Sequence, residues 1–125
     1  MKRLIFLFLA LGLAGCGPMN VADLKSSGNQ TARYESAKSP MDFASCVILA
    51  YDSATPAYHP AQMRPTPTGL EILKTISVNF RLVVAGVIEV DAIGEGSSVM
   101  GTASGHNRFA MDRLAALDSI IRQCL

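Results

Sequence analysis

The residues of this chain able to do chemistry are few: three cysteines (Cys16, Cys46 and Cys124), two histidines (His59 and His106) and scattered carboxylates. A thiol can act as nucleophile, metal ligand, disulfide partner or acylation site, and context decides among these. Two cysteines supply half a structural zinc shell, and neither histidine stands at ligand spacing to them, so no metal site is expected. Ser104-Gly105-His106 sets a serine beside a histidine, but the surrounding GTASG is not the GxSxG elbow, and adjacency in sequence does not make a nucleophile–base pair. GEGSSVMG, from Gly94 to Gly101, lacks the GxGxxG spacing and precedes a strand pattern, and no phosphate-loop lysine follows a suitable glycine loop. Glu89 and Asp91 fit the polar face of a strand, with no sign of a cleft that would tune them. The chain therefore reads as a non-enzyme without a cofactor.

Cys16 is set apart by what precedes it. Lys2 and Arg3 form a basic start, and Leu4 to Ala14 form an apolar run of signal-peptide length, too short to span a bilayer as a helix. The end of that run, Leu13-Ala14-Gly15-Cys16, resembles the lipobox of bacterial lipoproteins; the alternative is an ordinary export signal that contains a cysteine. The resemblance covers the first 17 residues. It implies removal of residues 1–15 and acylation of Cys16 on its sulfur and its new amino group. Several acyl chains, each worth about 0.8 kcal/mol per buried methylene, anchor far more firmly than one. It also implies an outer-membrane address with the domain facing the periplasm, because Gly17 stands where inner-membrane lipoproteins of enteric bacteria carry Asp.

With Cys16 assigned to lipid, Cys46 and Cys124 remain in an oxidising compartment and are expected to pair; two buried free thiols are the alternative. A bridge over 78 residues would contribute roughly 4 kcal/mol in the chain-entropy view. The mature chain carries 9 Lys and Arg against 10 Asp and Glu, which gives no reason to expect nucleic acid as a partner. Its 110 residues suit one domain that buries about 60–68% of its unfolded surface, so a staple would help.

Residues 16–38 are polar and without aliphatic periodicity, and read as the lipidated cysteine followed by a flexible tether reaching about 25 Å. Asn29-Gln30-Thr31 fits a glycosylation acceptor, which a bacterial lipobox argues against. The globular domain is expected over residues 39–125. Ser39, Pro40 and Asp42 form a helix start, and Phe43, Cys46, Val47 and Ala50 line one face after it. DSATPAYHPAQMRPTPT, from Asp52 to Thr68, reads as a long surface loop because its prolines remove backbone donors. Tyr58, His59, Met63 and Arg64 are its candidate contact residues, unless the loop only links helix to sheet.

From Thr75 to Leu82 the alternation of Ile76, Val78, Phe80 and Leu82 with Thr75, Ser77, Asn79 and Arg81 predicts one strand with Phe80 in the core. VIEVDA predicts a second, with Gly86 as a turn or bulge, and IGEG a hairpin turn into SSVMGTAS. Ala110, Leu114, Leu117, Ile121 and Cys124 form one stripe on a final helix over 107–123, with His106 at its start. The fold class is thus α+β, in the order α-β-β-β-α: a small antiparallel sheet with two helices on one face, stapled by a disulfide. The other face would carry Thr75, Ser77, Asn79, Arg81, Glu89 and Asp91, either solvated or as a recognition surface with Arg81 opposite Glu89 or Asp91.

These features lead to two expectations of function. One is a lipid-anchored accessory protein of the cell envelope, held to the membrane through Cys16, with a small non-catalytic domain that binds an envelope protein or serves structure. The other is a periplasmic inhibitor or immunity lipoprotein that blocks a toxic or cell-wall enzyme.

Overall fold

The computed structural model describes residues 20–54, 61–78, 80–104 and 110–125. Its elements are α1 (Val21–Ser27), β1 (Asn29–Gln30), β2 (Tyr34–Ser36), α2 (Pro40–Ala54), β3 (Gln62–Thr66), β4 (Gly69–Val78), β5 (Arg81–Ile93), β6 (Gly96–Ala103) and α3 (Ala110–Cys124). The strands form one antiparallel sheet in the order β1-β6-β5-β4-β3, with β2 also paired to β6. This is an α+β fold built around the β4–β5–β6 meander.

Helix α2 starts where the sequence signals it. The Ser39 hydroxyl accepts from the Asp42 N–H at 3.2 Å, and the Ser39 carbonyl accepts from Phe43 N–H at 2.9 Å. Its inward residues Phe43, Ala44, Val47 and Tyr51 meet Leu117, Ile120, Ile121 and Cys124 of α3 over Ile72, Ile88, Val90 and Val99 of the sheet. Cys46 and Cys124 are bonded, with Cα atoms 5.8 Å apart, so the staple joins the two helices on that face. The IGEG turn is also as read: Ile93 pairs with Gly96, and Gly94 takes φ +57, which suits a two-residue hairpin with glycine at its first central position.

The second face is covered as well. Lys74 stands opposite Gly86 but Thr75 opposite Val84, so Ala85 is an extra residue and a bulge forms at the glycine. The bulge resets the alternation and brings Val84 and Val87 to the same side. There they form a second apolar cluster with Leu73 and Leu24 of α1, and Val21 packs beside it. Helix α1 crosses close to β6 because Gly28 has no side chain: a Cβ there would lie 2.7 Å from the Ala103 carbonyl oxygen.

Four expectations need correction. Residues 20–38 are not a tether. Asn20 caps α1 by accepting from Asp23 N–H at 2.9 Å, Leu24 is fully buried, and residues 29–36 run antiparallel along β6 as β1 and β2. Polar side chains suit this edge, where backbone pairing to β6 rather than apolar burial holds the segment; Thr31 N–H donates to the Gly101 carbonyl at 2.9 Å. Second, TISVNFRL is not one strand. The β4–β5 ladder closes with Val78 opposite Arg81, so Phe80 lies in the connection at φ +63 and is fully exposed. Alternation cannot reveal a reversal when two strands of the same pattern meet without glycine or proline between them. Third, Arg81 pairs with Val78, whereas Glu89 stands opposite Glu71 and Met100, and Asp91 opposite Gly69 and Ser98. The reversal carries Arg81 to the far end of the ladder from both acids. Fourth, Gln62–Thr66 is a strand within the proline-rich stretch. It tolerates Pro65 because β3 is the edge and pairs only with β4.

These placements set the stability order of three truncations. Phe43→Ala is expected to destabilise by about 3–5 kcal/mol and Leu24→Ala by about 2–5 kcal/mol. Phe80→Ala should fall within about 0.5 kcal/mol of the parent. Urea denaturation of the oxidised protein measures all three, and a neutral Leu24→Ala would return residues 20–27 to the role of tether.

Candidate functional site

Two polar constellations stand out among the described residues. The first is a row of charges across the second face. Register sets Arg64 of β3, Glu71 of β4 and Glu89 of β5 side by side. Two like charges opposite one another on neighbouring strands repel, and Glu71 is nearly buried. The repulsion is relieved from above and beside: Lys25 of α1 places its Nζ 2.7 Å from Glu89 and 3.4 Å from Glu71, while Arg64 Nε bonds the other oxygen of Glu71. The hydrogen bond to Glu89, with the charge of Glu71 added, raises Lys25 above its ordinary pKa against the opposing effect of burial. The row locks α1 to the sheet, and each cation has a carboxylate partner.

The second constellation is on the helix side of the β2 edge. Tyr34 donates its hydroxyl to Asp118 at 2.5 Å and accepts from Arg122 Nε at 3.1 Å, and Arg122 reaches the other Asp118 oxygen at 2.9 Å. The Arg122 guanidinium also lies 5.7 Å from the centre of the Tyr34 ring. The hydrogen bond to Tyr34, with the charge of Asp118, raises Arg122 above its ordinary pKa. The triad lines an open groove of about 340 Å³ between residues 30–34 and α3, together with Gln30, Thr31, Met111 and Leu114. Chemically, the triad is self-satisfied. The Asp118 carboxylate is held by a phenol on one oxygen and a guanidinium on the other.

No protein-family model, curated protein or solved structure matches this chain. Function must therefore be read from its own residues. Of the candidate site residues, Cys46 and Cys124 meet as the disulfide. Met63 is exposed on the edge strand β3, and Arg64 beside it is engaged by Glu71. Arg81 opens β5 at the end of the ladder that holds Phe80. Cys16, Tyr58, His59 and His106 lie outside the described residues. Among the described residues, no group of three or more His, Cys, Asp and Glu could hold a metal ion, and no helix is long and apolar enough to cross a membrane.

Sequence reading missed Lys25, Glu71, Tyr34, Asp118 and Arg122. The Asp118–Arg122 pair has a local signal, the four-residue helical spacing, and Asn20 with Asp23 three residues on announces α1 as a cap. The Lys25 bridge has no local signal, since its partners are 46 and 64 residues away.

Two groups are expected to weaken the fold at alkaline pH. Burial pushes the Tyr51 hydroxyl well up from its ordinary 10.0, and Lys25 is raised from 10.5. Both keep their protons in the folded state after the unfolded chain has lost them. Their stabilisation is complete below those ordinary values and falls as pH rises past about 10 toward the raised values. The double substitution Tyr51→Phe with Lys25→Met is expected to flatten the loss of urea midpoint above that pH while leaving the slope near neutrality unchanged. An unaltered alkaline limb would assign it to other groups.

Proposed function

We propose that this chain is a bacterial envelope lipoprotein whose mature form begins at an acylated Cys16 and carries a small non-catalytic domain, held at the outer membrane and facing the periplasm. The observation that carries the reading is the succession of Lys2-Arg3, the apolar run from Leu4 to Ala14, and Leu13-Ala14-Gly15-Cys16. The cysteine pairing supports it. Cys46 and Cys124 use each other, which leaves Cys16 for a separate chemistry, and a disulfide joining two core helices belongs in an oxidising compartment. The Tyr34–Asp118–Arg122 groove and the paired charges of the second face offer contact surfaces without a reactive group, in keeping with a binding or structural accessory role. The near-balance of charge on the mature chain favours neither nucleic acid nor a strongly acidic partner.

The spacing of anchor and domain refines the picture. Only Gly17, Pro18 and Met19 stand between Cys16 and the cap residue Asn20. Four residue steps span at most about 14 Å even when fully extended. A domain anchored at Cys16 is therefore held against the membrane surface, not suspended above it.

Expression of the full chain with Cys16→Ser in a bacterial host tests the anchor. The parent should require detergent for release from membranes and yield an acylated N-terminal peptide by mass spectrometry. The variant should lose both properties. Membrane retention that persists through the substitution would contradict the anchor.

A further inference from the structure

The end of the β4–β5 hairpin stands apart from the rest of the fold. β3 ends with Gln62 opposite Leu73, and β6 ends with Ala103 opposite Gly86. Beyond that level, among the described residues, β4 and β5 continue as a two-stranded ribbon from Thr75 to Val84 with no third strand beside them. The ribbon is apolar where it should be wet. Phe80 in the connection is fully exposed, Leu82 is 57% exposed and Ile76 is 38% exposed. Phe80 also holds φ +63, a left-handed conformation that a bulky residue adopts at a cost of roughly 1 kcal/mol or more. A turn selected only to reverse the chain would carry glycine or asparagine at such a position.

Two observations say what covers this tip. Ile76 and Leu82 occupy adjacent levels of the ladder, Ile76 opposite Val83 and Leu82 opposite Ser77, and so face opposite sides of the ribbon. A flat protein partner would bury one side and leave the other in water, whereas a lipid layer surrounds whatever enters it. The second observation is where the chain leads. Val21, the first residue of α1, packs on the cluster that contains Val84, and Val84 is four residues from Phe80, about 14 Å along a strand. That distance matches the longest reach from Asn20 back to Cys16, so acyl chains on Cys16 and the tip can meet one surface together. The charges agree as well: from Ile72 to Ile88 the chain has no acidic residue, and its two charged residues are Lys74 and Arg81.

We infer that the Phe80 tip of the β4–β5 hairpin inserts into the headgroup and upper acyl region of the bilayer that holds the acylated Cys16, as a second contact fixing the domain's orientation on the membrane. The inference rests on the lipoprotein reading above. Insertion to a depth of about 5–10 Å would take in Phe80 and Leu82 with the first pairs of the ribbon and leave the rest of the sheet outside the hydrocarbon core.

The chain has no tryptophan, so Phe80→Trp makes the tip its own reporter, and Leu49→Trp on the exposed outer side of α2 serves as the companion. The full mature protein is purified with its acyl chains, checked by mass spectrometry, and reconstituted into vesicles of phosphatidylethanolamine and phosphatidylglycerol with or without bromine on the acyl chains. The expected result is a blue-shifted emission from the tip indole that loses most of its intensity to the brominated lipid, while the indole on α2 stays red and unquenched. An acylated, vesicle-bound protein whose tip indole remains in water overturns tip insertion and leaves the anchor standing. Equal quenching at both positions also overturns it, since the whole domain would then lie on lipid without a preferred face. A protein that carries no acyl chain and does not float with vesicles overturns the anchor reading and tip insertion together.

Discussion

Backbone pairing in the β4–β5–β6 ladder leaves apolar side chains on both sides of the sheet, and neither side can be left to water. Ile72, Ile88, Val90 and Val99 project to one side, and Leu73, Val84 and Val87 to the other. The first side takes the two long helices, joined to each other by Cys46–Cys124. The second takes α1, which is only 7 residues long and could not persist alone in water. It is held by Leu24 in the second cluster and by Lys25 between two carboxylates that would otherwise repel. The bulge at Ala85 is what makes this second cluster continuous, since without it Val84 would turn away from Val87.

Because α1 belongs to the sheet, the described part of the fold starts at Asn20, four positions after Cys16 in the sequence. A long tether would let the domain sample many orientations and distances, as a bead on a string. On the lipoprotein proposal, so short a spacing would make membrane contact a property of the domain surface itself. Under the same proposal the exposed Phe80, Leu82 and Ile76 would be that contact, since isolated exposed apolar residues are ordinary but three at one hairpin end are not.

What could be read from sequence was what rests on short-range pattern. The Ser39-Pro40-Asp42 start, the Leu117, Ile121 and Cys124 part of the α3 stripe with Leu114 partly buried beside it, the Gly94 turn and the pairing of Cys46 with Cys124 follow from caps, periodicity and cysteine number, and are present; the Ala110 side chain lies outside the described residues. The misreadings share a cause: each depended on a partner distant in sequence. Leu24 and Lys25 look like tether residues until Leu73, Glu71 and Glu89 are brought beneath them. Residues 29–36 look like linker because their structure comes from pairing with β6. Phe80 fits an unbroken alternation because the strands before and after the turn have the same period, and only the ladder reveals that the chain reverses there. Tyr34, Asp118 and Arg122 converge from an edge strand and the last helix, so two of the three contacts among them had no local signature.

The status of α1 is the point on which both the fold and the membrane geometry turn. Hydrogen–deuterium exchange of the mature acylated protein in vesicles measures it directly, through the backbone amides of Leu24, Gly28 and Thr31. These donate to Asn20 at 3.2 Å, Leu24 at 2.7 Å and Gly101 at 2.9 Å. Protection of all three, approaching that of the β5 amides, is the expected result and places residues 20–31 within the folded domain. Exchange at the rate of an unstructured chain would contradict it, returning residues 17–38 to a tether and detaching the hairpin tip from the membrane surface.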